Sequence, residues 1–133
     1  KYGDSRLDFY MEKQDEKYLM EVKGCTLEID GIGYFPDAPS ERAVRHLHEL
    51  MHAAKQGYHC ILAFVIAMPG VMVVRPNMTT HPAFGQALSE AMAAGVEVWY
   101  LPCEITADSI QIKGRKRKYY SVQDRLYPHV VIQ

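Results

Sequence analysis

The sequence predicts an α/β sandwich built around a mixed β-sheet. Its first third carries short strand patterns separated by polar turns, and the part that follows alternates two amphipathic helices with two apolar strands. A strand, a helix and a strand joined by short links form a parallel pair with a right-handed crossover. We therefore expect a three-stranded meander followed by α, β, α and β, folded around one hydrophobic core.

The meander is predicted from three segments, residues 6–12, 18–22 and 25–29, in which apolar and polar side chains alternate or strand-forming residues cluster. Gln14, Asp15 and Glu16 form a polar turn between the first two segments. These two segments should therefore pair as a hairpin. Residues 25–29 are expected to be the third strand of the same meander.

Helical periodicity is clearest over residues 41–56, where Asp37 or Ser40 can cap the start and Gly57 ends the pattern. The apolar run at 58–68 has no polar alternation, which is typical of a central strand buried on both faces. A second helix is predicted over 81–94 and a last strand over 96–101. These elements supply the α, β, α and β of the expected fold.

Composition limits the class of protein. The 133 residues are 48% hydrophobic with a formal net charge of −1, and no run of 18 apolar residues or signal peptide is visible. We therefore expect a cytoplasmic protein without a membrane partner. The three cysteines, Cys25, Cys60 and Cys103, lie far apart in apolar segments, which favours buried thiols over disulfides or a zinc site.

A candidate metal site lies in the first two strands. Glu21 and Lys23 are two residues apart on one strand and share a face, and the hairpin could bring Asp8 beside them. Two carboxylates can hold Mg²⁺ or Mn²⁺, and an ammonium group can orient a water or stabilise charge on a phosphate. The tripeptide alone is also typical of a solvated charge pair on an exposed strand face.

A second motif points to different chemistry. His48, Glu49 and His52 match the HExxH signature of zinc metalloproteases on a predicted helix. At about 100° per residue, both histidines fall outside the apolar stripe centred near Leu47. The longer protease pattern expects a histidine six residues after His52, whereas His59 lies seven after it. Zinc proteolysis is therefore a remote alternative to a solvated histidine face.

A basic cluster lies near the C-terminus, in the sequence KGRKRKYY. It holds five of the chain's 15 lysines and arginines, and two tyrosines follow it. Basic residues next to aromatic rings are typical of a surface that binds single-stranded nucleic acid. A solvated edge strand, whose charges discourage sheet-to-sheet pairing, is the other interpretation. The cluster consists of Lys113, Arg115, Lys116, Arg117 and Lys118.

Several blocks resemble the sugar fermentation stimulation protein family. In order along residues 3–112 they are SRLDF, LMEVKGCTL, GIGYFPDAPSERAVRHLHELMHAAKQGYHCILAFVI, VVRPN and AMAAGVEVWYLPCEI, and the most specific patterns are R-x-D-F, EVKxxTL and FPDAxxER. The resemblance implies a C-terminal PD-(D/E)xK nuclease-like domain with the restriction-endonuclease-like sandwich fold. By position, Asp8 and Glu21 match the two acids of that motif and Lys23 its lysine. Asp37, Glu41 and Arg42 match the block after the strands.

The same resemblance implies a cytoplasmic DNA-binding protein linked to maltose metabolism, and it also shows departures. The family's N-terminal OB-like domain and the helix before R-x-D-F have no counterpart in this sequence. We therefore expect a nuclease-like domain over 1–112 and a basic C-terminal tail over 113–133. Loss of the helix should uncover apolar strand residues and favour a homodimer. The residues concerned are Leu7, Phe9, Leu19 and Val22.

Three functions remain open at this point. The first is a DNA-binding protein in which Asp8 and Glu21 hold Mg²⁺ or Mn²⁺, while Arg6, Lys23, Arg42 and the basic cluster contact phosphates. The second is a metal-dependent nuclease, in which the metal activates a water and Lys23 lies beside it. The third is a structural or regulatory protein whose charges merely solvate a sheet edge.

Overall fold

The computed structural model of the protein describes residues 9–105, 110–112 and 116–118, with side chains over residues 9–103. Within these ranges it contains two helices and nine strands in two sheets. The strands are β1 (Phe9–Lys13), β2 (Glu16–Cys25), β3 (Leu27–Ile29), β4 (Ile32–Phe35), β5 (His59–Ile66), β6 (Val74–Pro76), β7 (Glu97–Ile105), β8 (Ile110–Ile112) and β9 (Lys116–Lys118). The helices are α1 (Glu41–Lys55) and α2 (Pro82–Ala93).

The main sheet is mixed, as the sequence predicts. Its strands follow the order β1, β2, β5, β7, and both β8 and β9 pair with β7. The hairpin of β1 and β2 is antiparallel, whereas β2, β5 and β7 are parallel neighbours. The connection from β2 to β5 contains β3, β4 and α1, and the connection from β5 to β7 contains β6 and α2. The predicted α/β sandwich class is therefore confirmed.

The third predicted strand does not join the meander, so that detail of the prediction is wrong. Strand β3 pairs with β4, and β4 pairs with β6, in a separate three-stranded sheet. The physical reason is the tight turn at Asp30 and Gly31, whose φ angles of 53° and 83° reverse the chain directly after β3. This turn places β4 beside β3. Strand β6 comes from the segment between β5 and α2, which shows no clear strand pattern.

Helix α1 begins where the sequence predicts. The Ser40 hydroxyl accepts a hydrogen bond from the Ala43 N–H at 3.1 Å and caps the helix. The Ser40 N–H donates to Nδ1 of His81, directly before α2, at 2.9 Å. The starts of the two helices are therefore tied together, and the helices pack against each other.

Both helices lie on one face of the main sheet and bury the core there. Leu62, Phe64, Val98 and Tyr100 project from β5 and β7 into this core and are fully buried. The Tyr100 hydroxyl donates to the carbonyl oxygen of Val74 at 3.1 Å, which joins the main sheet to the small one. Burial of these aromatic and aliphatic side chains is the main stabilising contribution to the fold.

The opposite face of the main sheet carries apolar side chains that neither described helix covers. The pairing registers align Phe9 with Met20, Met20 with Ile61, and Ala63 with Trp99. Of these residues, Phe9, Met20, Ile61 and Trp99 line a groove of about 650 Å³, whereas Ala63 is fully buried. Phe9 is 60% exposed at its edge. We call this surface the open face.

Of the four residues predicted to be uncovered, Phe9 is exposed, Val22 is half-buried, Leu19 is buried under the helices and Leu7 lies outside the described residues.

The cysteines and helices fit the compositional predictions. Cys25, Cys60 and Cys103 are free thiols, the first two buried and the third half-buried. Burial raises the pKa of the Cys60 thiol to about 11, so this thiol stays protonated at neutral pH. Neither helix in the described part of the chain is long and apolar enough to cross a membrane.

Candidate metal and nucleic-acid site

The candidate site lies on β2, which is the second strand of the main sheet and pairs with β1 and β5. Glu21 and Lys23 occupy alternate positions and point to the same face, as the sequence predicts. That face is the one that α1 covers. The side chain of Glu21 is only 3% exposed and that of Lys23 only 14% exposed. The pair is therefore not a solvated charge pair.

A third side chain completes the cluster. His46 projects from α1 toward β2, and its side chain is 3% exposed. Its Nδ1 atom lies 2.8 Å from Oε1 of Glu21 and 2.9 Å from Nζ of Lys23. Nζ of Lys23 lies 3.1 Å from the same Oε1. The three polar atoms form a closed triangle under the helix, which we call the Glu21 cluster.

The triangle constrains the proton on His46. Nδ1 can donate to the Glu21 carboxylate only when it carries a proton, and it can accept from the Lys23 ammonium only when it does not. One of the two contacts is therefore a hydrogen bond at any moment, while Lys23 can donate to Glu21 throughout. A carboxylate held in this way is fixed in position, which a metal ligand requires.

The pKa of His46 is lowered from its ordinary value. Burial is the main cause, because it disfavours the charged imidazolium. The positive charge of Lys23 lowers the pKa further and Arg42 also lowers it, whereas Glu21 acts in the opposite direction. His46 is therefore neutral at neutral pH, so the net charge of the cluster comes from Glu21 and Lys23.

Sequence reasoning missed His46, although a signal for it existed. The residue lies three positions after Ala43 and four before Leu50, both of which are buried on the inner stripe of α1. A histidine in the apolar stripe of a helix needs a polar partner in the core. The partner is the pair of Glu21 and Lys23 on the strand that α1 covers.

The other predicted site residues lie in three places. Arg42 is exposed in the first turn of α1, one turn before His46, and adds positive charge near the cluster. Residues Lys116, Arg117 and Lys118 form β9, so this part of the basic cluster pairs with β7 within the main sheet, and their side chains are outside the described set. Strands β5 and β7 lie between β2 and β9 in the sheet, so the axes of β2 and β9 are about 14 Å apart. Asp8, Arg6 and Arg115 lie outside the described residues.

The HExxH motif is not part of the cluster. His48 and His52 are exposed on the outer side of α1, while His46 points inward. Over the described residues, no group of three histidine, cysteine, aspartate or glutamate side chains is arranged to hold a metal ion. The helix therefore presents the motif to solvent without a third ligand from this part of the chain.

The Glu21 cluster has the donor chemistry of a site for a hard cation, but the described residues supply only part of it. Glu21 offers a carboxylate oxygen, the ligand type that Mg²⁺, Mn²⁺ and Ca²⁺ prefer. Six or more oxygen ligands are typical of such ions. Further oxygens would have to come from residues outside the described ranges, from water or from a bound phosphate.

A mixed sheet with an E-x-K strand beneath a helix is consistent with the α/β sandwich of the restriction-endonuclease-like fold. The family model described as "Sugar fermentation stimulation protein RE domain" matches residues 1–109. The chain belongs to the sugar fermentation stimulation protein family, which confirms the resemblance seen in the sequence.

Curated relatives support this assignment. The chain is 47% identical over 110 residues to a sugar fermentation stimulation protein homolog of Desulfitobacterium hafniense, a match that covers 83% of this chain and 48% of the relative. It is also 47% identical over 113 residues to the homolog of Clostridium beijerinckii, covering 85% of this chain and 50% of the relative. The chain thus spans about half the length of these relatives.

A solved structure agrees with the fold. The structure of Pyrococcus furiosus SfsA in complex with Ca²⁺ superposes with a TM-score of 0.80 at 31% sequence identity, covering 86% of this chain and 50% of that one.

Proposed function

We propose that this chain binds nucleic acid through a divalent cation held at the Glu21 cluster. The observation that carries the proposal is a carboxylate buried beside an ammonium group and a neutral imidazole on a central strand. Burying ionised groups costs free energy that apolar packing would avoid, so such a cluster is typical of a functional site.

A carboxylate donor supports a hard divalent cation at this site. The Pyrococcus furiosus relative was solved with Ca²⁺. Ca²⁺ and Mg²⁺ both bind oxygen ligands, although Mg²⁺ is smaller and retains more water. For this chain we propose Mg²⁺ or Mn²⁺, with Glu21 as one ligand. The bound cation would supply positive charge beside a phosphate oxygen and lower the pKa of a coordinated water.

We propose Asp8 as the second carboxylate of the site. In the β1–β2 hairpin, Phe9 pairs with Met20 and Tyr10 pairs with Leu19. One further step of the same antiparallel register would set position 8 opposite Glu21. Directly opposed residues point to the same face of a sheet, so the two carboxylates would share one cation.

Each side chain of the site would have a separate role. Lys23 would donate to a phosphate oxygen or orient a water, since its ammonium group already lies at the carboxylate. His46 would hold Glu21 in place. Arg42, exposed one turn from His46, would contact the backbone of the bound strand, with Arg6 and the basic cluster as further phosphate contacts.

Hydrolysis of phosphodiester bonds is a second candidate function, favoured by the position of Lys23. An ammonium 3.1 Å from the carboxylate can orient the attacking water and stabilise charge on the phosphate. A regulatory role in sugar metabolism, with maltose as the sugar, is the wider function that family membership suggests for the domain.

Binding and cleavage can be tested together. Labelled single-stranded and duplex DNA would be titrated with protein in Mn²⁺ and in EDTA, and plasmid would be incubated under the same conditions. We expect Mn²⁺ to tighten binding about tenfold or more and Glu21→Gln to abolish that gain. His48→Gln, an exposed histidine on α1, is the matched control.

The variant Lys23→Gln distinguishes nucleic-acid binding from phosphodiester hydrolysis. Cleavage that disappears in this variant while Mn²⁺-dependent binding persists indicates a nuclease. Binding without cleavage in the wild-type protein leaves the nucleic-acid-binding function alone. Equal binding in Mn²⁺ and in EDTA would refute the cation site.

A further inference from the structure

The outer face of the small sheet carries a cationic side chain that the Glu21 cluster does not use. Strands β4 and β6 are parallel, and their register sets Tyr34 beside Arg75. The neighbouring pair, Gly33 and Val74, points inward, where Val74 is buried in the core. Tyr34 and Arg75 therefore share the face that points away from the core.

Arg75 has no partner for its charge in the described part of the chain. Its Nε atom is buried and makes no hydrogen bond, and no ion pair joins its guanidinium to a carboxylate among residues 9–103. A guanidinium is always charged and presents five donors in a rigid fork. A buried donor without a partner is rare in folded proteins, so this arrangement favours an anionic ligand.

A concavity of about 300 Å³ lies against Arg75. Tyr34 forms one wall, with the apolar side chains of Ile29 and Met78 close by, and exposed Thr79 lies at the rim. The site thus combines a cation and a hydroxyl with an aromatic ring and apolar surface. This composition suits a phosphate group joined to a flat base better than it suits an inorganic ion alone.

The wall after β6 is held rigid by Asn77. Its side-chain NH₂ donates to the carbonyl oxygen of Pro36 at 3.0 Å, and its side-chain oxygen accepts from the Thr80 N–H at 3.2 Å. Its backbone N–H donates to the carbonyl oxygen of Phe35 at 2.8 Å. The loop is therefore fixed before any ligand binds, which lowers the entropic cost of binding.

The small sheet packs against the end of β2 that follows Lys23. Cys25 lies two residues after Lys23 on the same face, about 7 Å further along the strand. Its thiol donates to the carbonyl oxygen of Tyr34 at 3.5 Å. The concavity lies on the outer face of the small sheet, away from buried Cys25, so a strand held at the cluster would pass over the edge of this sheet to reach it.

We propose that Arg75 binds a backbone phosphate of a nucleic-acid strand and that the ring of Tyr34 stacks on an adjacent base. This inference rests on the proposed function, because it extends the path of the strand that the Glu21 cluster would hold. It adds a contact surface on a different sheet and predicts a preference for an unpaired base at that position.

The test compares Arg75→Gln with Arg45→Gln, which removes an exposed arginine from α1. Single-stranded DNA and a duplex of the same sequence are titrated at several salt concentrations. We expect Arg75→Gln to reduce the slope of log K against log salt by about 0.7 for the single strand, with Arg45→Gln unchanged. Tyr34→Ala should weaken single-strand binding about fivefold or more, while Tyr34→Phe, which keeps the ring, should not.

The inference would be overturned if the wild-type protein and Arg75→Gln had equal slopes of log K against log salt. It would also be overturned if Tyr34→Ala bound single-stranded DNA as tightly as the wild-type protein. Failure of the proposed function looks different. In that case the wild-type protein would show no dependence of DNA binding on Mn²⁺ and Glu21→Gln would change nothing, whatever the Arg75 variants do. Loss of binding to an acidic peptide in Arg75→Gln, with DNA binding intact, would also overturn the inference and indicate a protein ligand.

Discussion

The two faces of β2 differ in a way that reverses the usual distribution of polar and apolar side chains. On the face under α1, Glu21 and Lys23 are buried with His46. On the other face, Met20 and Val22 are only half-buried, and Met20 lines the groove that Phe9 borders. The charged side chains are thus inside and the apolar ones lie at a surface. A strand selected for stability alone would be arranged the other way round, so we propose that each face reflects a binding requirement.

The first prediction concerns the polar face of β2 and removes Lys23 from the Glu21 cluster. Lys23→Ala leaves the buried Glu21 carboxylate without its ammonium partner, and we expect a loss of about 3–5 kcal/mol in the free energy of unfolding. Urea denaturation measures it. The double variant Glu21→Gln with Lys23→Ala should recover part of the loss, because it removes the unpaired charge. Equal stability of the double and single variants would contradict this account of the cluster.

The second prediction compares the two faces at adjacent positions of β2. Leu19 is 2% exposed under the helices, whereas Met20 faces the groove and is half-buried. Leu19→Ala should cost about 2–4 kcal/mol through loss of burial and the cavity left behind. Met20→Ala should cost about 1 kcal/mol or less. Equal losses in chemical denaturation would show that the open face is as tightly packed as the helical face.

The third prediction concerns a partner for the open face. Because Phe9 and Met11 are exposed beside an apolar groove, we expect this chain to form a homodimer through that surface. Sedimentation velocity at rising protein concentration should show the dimer. Met11→Glu should shift the protein toward monomer, and Met72→Glu, at an exposed methionine on another surface, should not. A monomer at all concentrations would contradict the expectation.

The fourth prediction uses the lowered pKa of His46. In the unfolded state the pKa of His46 is about 6.5, and in the folded state it is lower, mainly because of burial. Between these values the unfolded state binds more protons, so stability falls as the pH drops below about 6.5 and this loss ends below the folded pKa. In His46→Gln that part of the pH dependence should disappear.

The matched control for this measurement is His48→Gln, because His48 is exposed on the outer side of α1. Its stability should remain within about 0.5 kcal/mol of wild type, with the pH dependence unchanged. Thermal or urea unfolding at several pH values compares the three proteins. A His46→Gln curve parallel to the wild-type curve over this range would contradict the assigned burial effect.

Local pattern predicted most of the fold. The hairpin, both helices and the central apolar strand come from periodicity and turn residues, which act within a few positions along the chain. The pairing of β3 with β4 instead of with the hairpin depends on the turn at Asp30 and Gly31 and on β6, which is distant in sequence. A three-residue strand such as β6 carries too little alternation to be recognised.

The site was predicted in part for the same reason. Alternation along one strand places Glu21 and Lys23 together, and the structure agrees. Two helical histidines drew attention to the HExxH motif, whereas the histidine that contacts Glu21 and Lys23 is His46, two residues before His48 and on the opposite side of the helix. The distinction depends on which helix face meets the sheet, a question that tertiary packing decides. The buried Nε of Arg75, which has no hydrogen-bond partner among the described residues, also becomes visible only when its surroundings are known.

The most direct test of the central claim is anomalous diffraction from crystals soaked in Mn²⁺, recorded for the wild-type protein and for Glu21→Gln. The account predicts a Mn²⁺ peak about 2.0–2.3 Å from a Glu21 carboxylate oxygen, with Asp8 as a further ligand, and no peak there in Glu21→Gln. A wild-type crystal at saturating Mn²⁺ with no peak at Glu21, or with its strongest peak between His48 and His52, would contradict the account.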